Sequence, residues 1–199
     1  LYTPYMLRML GQSEYGLYSL VASVIAYLTV LDMGLGNAVV RYTAKYRAEG
    51  KTEEQYKMFG MILVIYVVIG VLALLAGLGL YFNVDSMFGA TMTAIELDHA
   101  RVMMLILILN LAVTFPMSIF GSIITAYEHF VFPRIINIIR IVLNTVVMIV
   151  LLSQGYKAIA MVVVQTVFNI LTLIINYIYC KRKLKIKILF GKFQWGFIQ

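Results

Sequence analysis

The sequence predicts an all-α, polytopic transmembrane helix bundle, and three observations predict it. Five long apolar runs divide the chain: Tyr15–Val40 (interrupted by Asp32 and Asn37), Met58–Phe82, Val102–Ala126, Ile135–Leu152 and Ala158–Tyr179. Most reach the ~20 residues that a helix needs to cross the hydrocarbon core of a bilayer. Thirteen of the 16 Lys and Arg residues fall in alternate gaps between the runs. Residues 41–57 hold Arg41, Lys45, Arg47, Lys51 and Lys57, residues 127–140 hold Arg134 and Arg140, and the tail 180–199 holds Lys181, Arg182, Lys183, Lys185, Lys187 and Lys192. Arg8, Arg101 and Lys157 stand one each in the intervening segments. Finally, 62% hydrophobic residues with 13% charged ones do not describe a water-soluble domain of 199 residues. The positive-inside rule then places 41–57, 127–140 and 180–199 on the cytoplasmic side of the membrane. The net charge of +7 is spread along the flanks of the spans, so anionic headgroups, and not nucleic acid, are the expected partner.

Taken in order, residues 1–14 read as an external connector, with Pro4 and Gly11 as breakers. Asp32, Gly34, Gly36 and Asn37 make the lower half of the first run irregular, which predicts a kink or unwound turn there. In the mixed-charge loop 41–57, Thr52 followed by Glu53 and Glu54 suits the start of the next helix. The second run has no polar side chain except the hydroxyls of Tyr66 and Tyr81. Its Gly70, Ala73 and Gly77, at i, i+3 and i+7, form a close-packing face of a peripheral structural helix. An acidic external loop, 83–101, leads to the third run, where Pro116 predicts a kink. Ser153–Lys157 is a tight external turn that makes the last two runs an antiparallel hairpin. The tail alternates Lys with Leu, Ile and Phe and continues through Phe193, Trp195 and Phe197, as suits a segment in the membrane interface. No signal-peptide pattern is visible. The chain starts at Leu1 without Met, and five spans put its ends on opposite sides, so a preceding helix is expected and the chain reads as a fragment.

Polar residues inside a membrane helix need a partner or water, which makes their spacing informative. The third run presents Asn110, Thr114, Ser118, Ser122 and Thr125 in steps of three and four. The fourth presents Asn137, Arg140 and Asn144, and the fifth presents Gln165, Asn169, Thr172 and Asn176. Each set follows the helical period and so falls on one stripe. For the third run, with its small hydroxyls, interhelical hydrogen bonding is the expected use. For the fifth, polar groups along the whole length exceed what packing needs, and a water-filled cavity is expected.

Two ionisable residues stand out. Asp32 lies 17 residues after Tyr15, about 25 Å down a straight helix, in the cytoplasmic half of the membrane. A carboxylate at the centre of a span costs about 2.5–3.5 kcal/mol on insertion scales. Asp32 reads either as an ion- or proton-coupling residue or gate, or as an interfacial cap before a kink. Arg140 shares a stripe with Asn137 and Asn144. It reads either as a snorkelling anchor or as a cavity guanidinium that meets phosphate through its bidentate fork. Arg41 suits the second role as well, beside an ordinary anchoring one. The substrate-cavity candidates are thus Arg140, Asn137, Asn144, Gln165, Asn169, Asn176 and Arg41. No catalytic constellation accompanies them. His99 and His129 lie in loops on opposite sides, no zinc-ligand spacing or Gly-rich phosphate loop is present, and Cys180 has no second cysteine to pair with. No enzyme activity, metal or cofactor is expected.

Three stretches resemble a known family. Thr3-Pro4-Tyr5-Met6-Leu7-Arg8-Met9-Leu10-Gly11, followed by Glu14-Tyr15-Gly16-Leu17-Tyr18, resembles the connector after the first helix of bacterial polysaccharide flippases. Leu31-Asp32-Met33-Gly34-Leu35-Gly36-Asn37-Ala38, with Arg41-Tyr42 and Ala44-Lys45-Tyr46, looks like their second helix. Ala126-Tyr127-Glu128-His129-Phe130 is similar to the loop before their fifth helix, where Arg more often fills the position of His129. The family, which handles lipid-linked oligosaccharides such as O-antigen, belongs to the multidrug/oligosaccharidyl-lipid/polysaccharide exporter superfamily. The resemblance implies two six-helix lobes around a central cavity working by alternating access in a bacterial or archaeal cytoplasmic membrane. Residues 1–180 are then helices 2–6 of the first lobe, and 181–199 open a basic linker toward the second. The implied cargo is an oligosaccharide on a polyprenyl pyrophosphate, moved from the cytoplasmic to the external leaflet, with H+ or Na+ as coupling ion. The alternatives are a cation-coupled multidrug exporter of the same superfamily, with Asp32 as coupling acid, and a non-transporting scaffold of a polysaccharide synthesis complex.

Overall fold

The computed structural model describes residues 3–29 and 33–192; seven helices and no strand lie among them. α1 covers Thr3–Thr29, α2 Met33–Ala48, α3 Thr52–Phe82, α4 Val84–Phe88, α5 Ala94–Ala126, α6 Val131–Ser153 and α7 Ala158–Arg182. The fold class is all-α, and α3, α5, α6 and α7 are long and apolar enough to cross a membrane. The first apolar run is divided between α1 and α2, and the residues that join them, including Asp32, lie outside the described ones.

Local chemistry sets the ends of these helices. From Thr3 onward the connector expected over 1–14 is helical, with Pro4 in the first turn, where its missing N–H is not needed. The breaker that acts is Gly11, whose φ of 81° and ψ of 166° kink α1. Likewise the loop expected over 41–57 is mostly helix. α2 ends in a Schellman motif: Gly50 takes φ 69°, and the N–H of Lys51 donates to the Tyr46 carbonyl at 2.9 Å. Thr52 then opens α3, with Glu53 and Glu54 in the first turn facing the positive end of the helix dipole. Thr93 caps α5 in a reciprocal capping box with Glu96. Gly155 at φ 88° makes the turn between α6 and α7.

α5 is the central element, packed against α1, α2, α3 and α7. Glycine lets α3 approach it closely. A Cβ at Gly77 would lie 2.6 Å from Ile108 Cγ1, and one at Gly70 would lie 3.2 Å from the Ala112 carbonyl oxygen. That carbonyl belongs to the residue four before Pro116, so no N–H from Pro116 reaches it, and α5 runs on through Pro116 as one helix. The buried side chains fall into two apolar layers. One gathers Met6, Leu10, Ala100, Met103, Ile108, Met148, Leu152 and Met161; the other gathers Val39, Met58, Phe59, Tyr66, Leu111, Phe115, Ile119 and Cys180. After α7, residues 183–192 form an extended strap. Leu184, Ile186 and Ile188 pack on the second layer, and Lys183, Lys185 and Lys187 are exposed.

Candidate functional site

Between the two apolar layers the helices carry polar side chains. On α5 the first layer reaches Ile108 and the second begins at Leu111, with Asn110 between them. On α6, Arg140 and Asn144 lie between Phe132 and Met148, and on α7, Gln165 and Asn169 lie between Val164 and Tyr179. The spacing of four within each pair puts its two members on one helical face. These residues, with Ile141, Thr145 and Phe168, line a cavity of about 290 Å³. It sits at mid-bundle: Arg140 is nine residues into the 23-residue α6, about 14 Å along a helix of about 35 Å.

One wall of the cavity is internally satisfied. Asn169 Nδ2 donates to Asn110 Oδ1 at 2.8 Å and to Thr114 Oγ1 at 2.9 Å, and Thr114 Oγ1 donates to the Asn110 carbonyl at 2.7 Å. Gln165 Nε2 donates to Tyr18 Oη of α1 at 2.5 Å. The α6 wall is different. Asn144 Oδ1 is buried with no hydrogen-bond partner among the described residues, a situation that costs about 1–3 kcal/mol where nothing fills it. Arg140 is half-buried, and no described carboxylate pairs with it. The lining therefore carries one guanidinium and no acid, which suits an anion with acceptor oxygens.

The sequence-derived candidates divide accordingly. Arg140, Asn144, Gln165 and Asn169 share the cavity. Asn137 is exposed on α6 one turn earlier and is not in the lining. Asn176 lies two turns beyond Asn169, where its Nδ2 would be 3.6 Å from a Cβ at Gly121, and its Oδ1 is buried without a partner. Arg41 is exposed, with its guanidinium 5.8 Å from the Tyr42 ring centroid. Asp32 is outside the described residues. Asn110 serves both uses that spacing suggests for polar spans: it bonds across helices and also lines the cavity. Phe168 and Ile141, apolar residues in apolar runs, carry no signal that would single them out.

The loop motif Ala126–Phe130 forms a corner away from the cavity. Gln55, 2% exposed, donates from Nε2 to Tyr127 Oη at 2.6 Å, and the Arg47 guanidinium lies 4.4 Å over the Tyr127 ring. Burial pushes the Tyr127 phenol above its ordinary value, opposed by the Gln55 hydrogen bond. His129 Nδ1 is 2.5 Å from Tyr179 Oη, and Tyr179 stacks on Phe132 with centroids 3.9 Å apart. At the other end of the bundle His99 Nδ1 pairs with Glu14 Oε1 at 2.9 Å, and Arg101 pairs with Asp85 and Asp98. The two histidines thus have structural partners on α1 and α7, and among the described residues no group of His, Cys, Asp and Glu is arranged to hold a metal.

The model of a family described as "Polysaccharide biosynthesis protein" matches residues 1–197. A protein of Salmonella typhimurium named "Putative O-antigen transporter" is 29% identical over 52 residues, which are 26% of this chain and 12% of that relative's length. No solved structure matches the chain.

Proposed function

This chain belongs to the polysaccharide biosynthesis protein family, and from that membership we propose that it forms part of a membrane transporter for lipid-linked oligosaccharide. The reading is that a polyprenyl-pyrophosphate-linked oligosaccharide is flipped from the cytoplasmic to the external leaflet by alternating access, without enzymatic chemistry on the cargo. The observation that carries it is the mid-bundle cavity with a single unpaired guanidinium, Arg140, and no carboxylate. A pyrophosphate offers the bidentate acceptor geometry that a guanidinium matches, and the unpartnered Asn144 Oδ1 suits a sugar hydroxyl. The same absence of acid disfavours a cationic drug as cargo.

In this reading residues 1–180 are helices of a first lobe, and 181–199 lead toward a second. Segments 41–57, 127–140 and 180–199 face the cytoplasm, where their basic residues meet anionic headgroups. An ion gradient, H+ or Na+, drives the cycle, with Asp32 as the coupling or gating carboxylate. The relative's name, an O-antigen transporter, accords with a polysaccharide export role.

The test is the leaflet in which cargo accumulates. In cells whose surface glycan depends on this protein, Arg140→Ala traps lipid-linked oligosaccharide on the cytoplasmic face and Arg140→Lys restores part of the export. Normal surface glycan from Arg140→Ala, at normal protein levels, removes Arg140 from the cavity role.

A further inference from the structure

The 25 residues of α7 span about 37 Å, more than the ~30 Å of a hydrocarbon core. Lys181 and Arg182, in its last turn, therefore stand at headgroup depth. The chain then folds back. The Ile186 N–H donates to the Cys180 carbonyl at 3.3 Å and the Leu189 N–H to the Tyr56 carbonyl at 3.2 Å. The Leu189 carbonyl lies so close to Gly60 that no Cβ fits between them. Docked in this way, the strap closes over a second cavity of about 400 Å³ against α5 and α7. It shares no lining residue with the mid-bundle cavity and lies ten residues farther along α5, from Asn110 to Phe120, a distance of about 15 Å.

The chemistry of this second cavity is two-sided. Phe120 and Tyr177 meet edge to face with centroids 4.9 Å apart, and Ile186 and Ile188 add apolar wall. Lys181 and Lys187 supply two ammonium groups, with Lys181 Nζ 5.9 Å from the Tyr177 ring centroid. Among the described residues neither lysine has a carboxylate partner. A water-soluble anion would leave the aromatic and aliphatic walls wet, and a neutral lipid would leave both cations without a counter-charge. A phosphate joined to a hydrocarbon chain answers both.

We propose that this strap cavity is a binding site for a phosphate-bearing lipid. The phosphate sits on Lys181 and Lys187, and the first carbons of the chain lie against Phe120, Tyr177, Ile186 and Ile188. This site is separate from the Arg140 cavity and does not depend on what that cavity carries. Two lipids supply the shared chemistry: a bilayer phospholipid and a polyprenyl phosphate.

The experiment places the protein in phosphatidylcholine nanodiscs with a photoactivatable phosphatidic acid, or with the matching diacylglycerol that lacks the phosphate. The phosphatidic acid probe should crosslink to peptides containing Phe120, Tyr177 or the strap. The double variant Lys181→Gln/Lys187→Gln should reduce that labelling about tenfold, the loss expected for an ionic contact, and the corresponding double Arg variant should keep it. Arg140→Gln should leave it unchanged, so failure here and failure of the transport reading are distinguishable. Competition by phosphatidylglycerol identifies a bilayer phospholipid as occupant, and stronger competition by undecaprenyl phosphate identifies the polyprenyl carrier. Equal labelling by diacylglycerol, unchanged labelling of the Gln variant, displacement by inorganic pyrophosphate alone, or competition by neither lipid would overturn the site.

Discussion

Asn169 on α7 donates from Nδ2 to Oδ1 of Asn110 on α5 at 2.8 Å, at the level where two apolar layers of the bundle part. This bond fixes one wall of the mid-bundle cavity. The opposite wall, on α6, presents Arg140, with which no described carboxylate pairs, and Asn144 Oδ1, which has no hydrogen-bond partner among the described residues. A polar wall that is satisfied holds the helices together, and one that is not is free to engage a ligand.

Asn169→Leu should therefore weaken the helix packing itself. Interhelical hydrogen bonds in membrane proteins contribute about 0.6 kcal/mol each and up to ~1.7, and two are lost here. Reversible unfolding in bicelles should register a loss of about 1–2 kcal/mol, summed from those bonds. An unchanged midpoint would show that Asn110 and Thr114 find other donors.

The α3–α5 contact predicts a sharp difference between two glycines of one helix. Gly77→Leu drives a side chain into Ile108, whose Cγ1, Cδ1 and Cγ2 all lie within 3.0 Å of the added Cβ. Such overpacking costs about 1–3 kcal/mol. A Cβ added at Gly79 meets nothing within 4 Å, so Gly79→Leu should not lower thermal stability. Equal effects at the two positions would contradict the packing face.

Gly11 and Gly16, both in α1, should respond to alanine with opposite signs. Each has open space around an added Cβ, so backbone conformation alone decides. Gly11 sits at φ 81° and ψ 166°, a region open essentially to glycine alone, where another residue costs about 1–3 kcal/mol. Gly16 is in regular helix, where alanine gains up to about 1 kcal/mol. Thermal unfolding of the two single variants in the same detergent checks both signs.

Much of this architecture is legible in the letters, for identifiable reasons. A run such as Met58–Phe82 admits few structures in a membrane, because every backbone polar group must be satisfied within the helix. The pairs Arg140/Asn144 and Gln165/Asn169 are readable as faces because four residues complete roughly one turn. Which faces meet is not local information. Gln165 pairs with Tyr18, 147 residues away, and nothing in either segment points to the other. Asn176 continues the α7 stripe past Asn169, yet a cavity of about 290 Å³ reaches along only part of the helix, and Asn176 falls against Gly121 instead. The basic gap 41–57 is legible as a flank by charge, and charge alone does not reveal that most of it is helix.

Asp32 offers a test of ion coupling. If it is the coupling carboxylate, Asp32→Asn abolishes gradient-driven transport while the protein remains inserted at normal levels. Unaffected transport assigns Asp32 to a capping role before α2.

Whether Arg140 receives the pyrophosphate of the cargo is measured by equilibrium binding. A short-chain prenyl-pyrophosphate oligosaccharide is titrated against the nanodisc-embedded protein and its Arg140→Gln variant. A hydrogen bond to a charged group contributes about 1.5–3 kcal/mol, so the variant should bind about 10- to 100-fold more weakly, with Arg140→Lys in between. Equal affinity of wild type and Arg140→Gln would show that Arg140 does not hold the pyrophosphate.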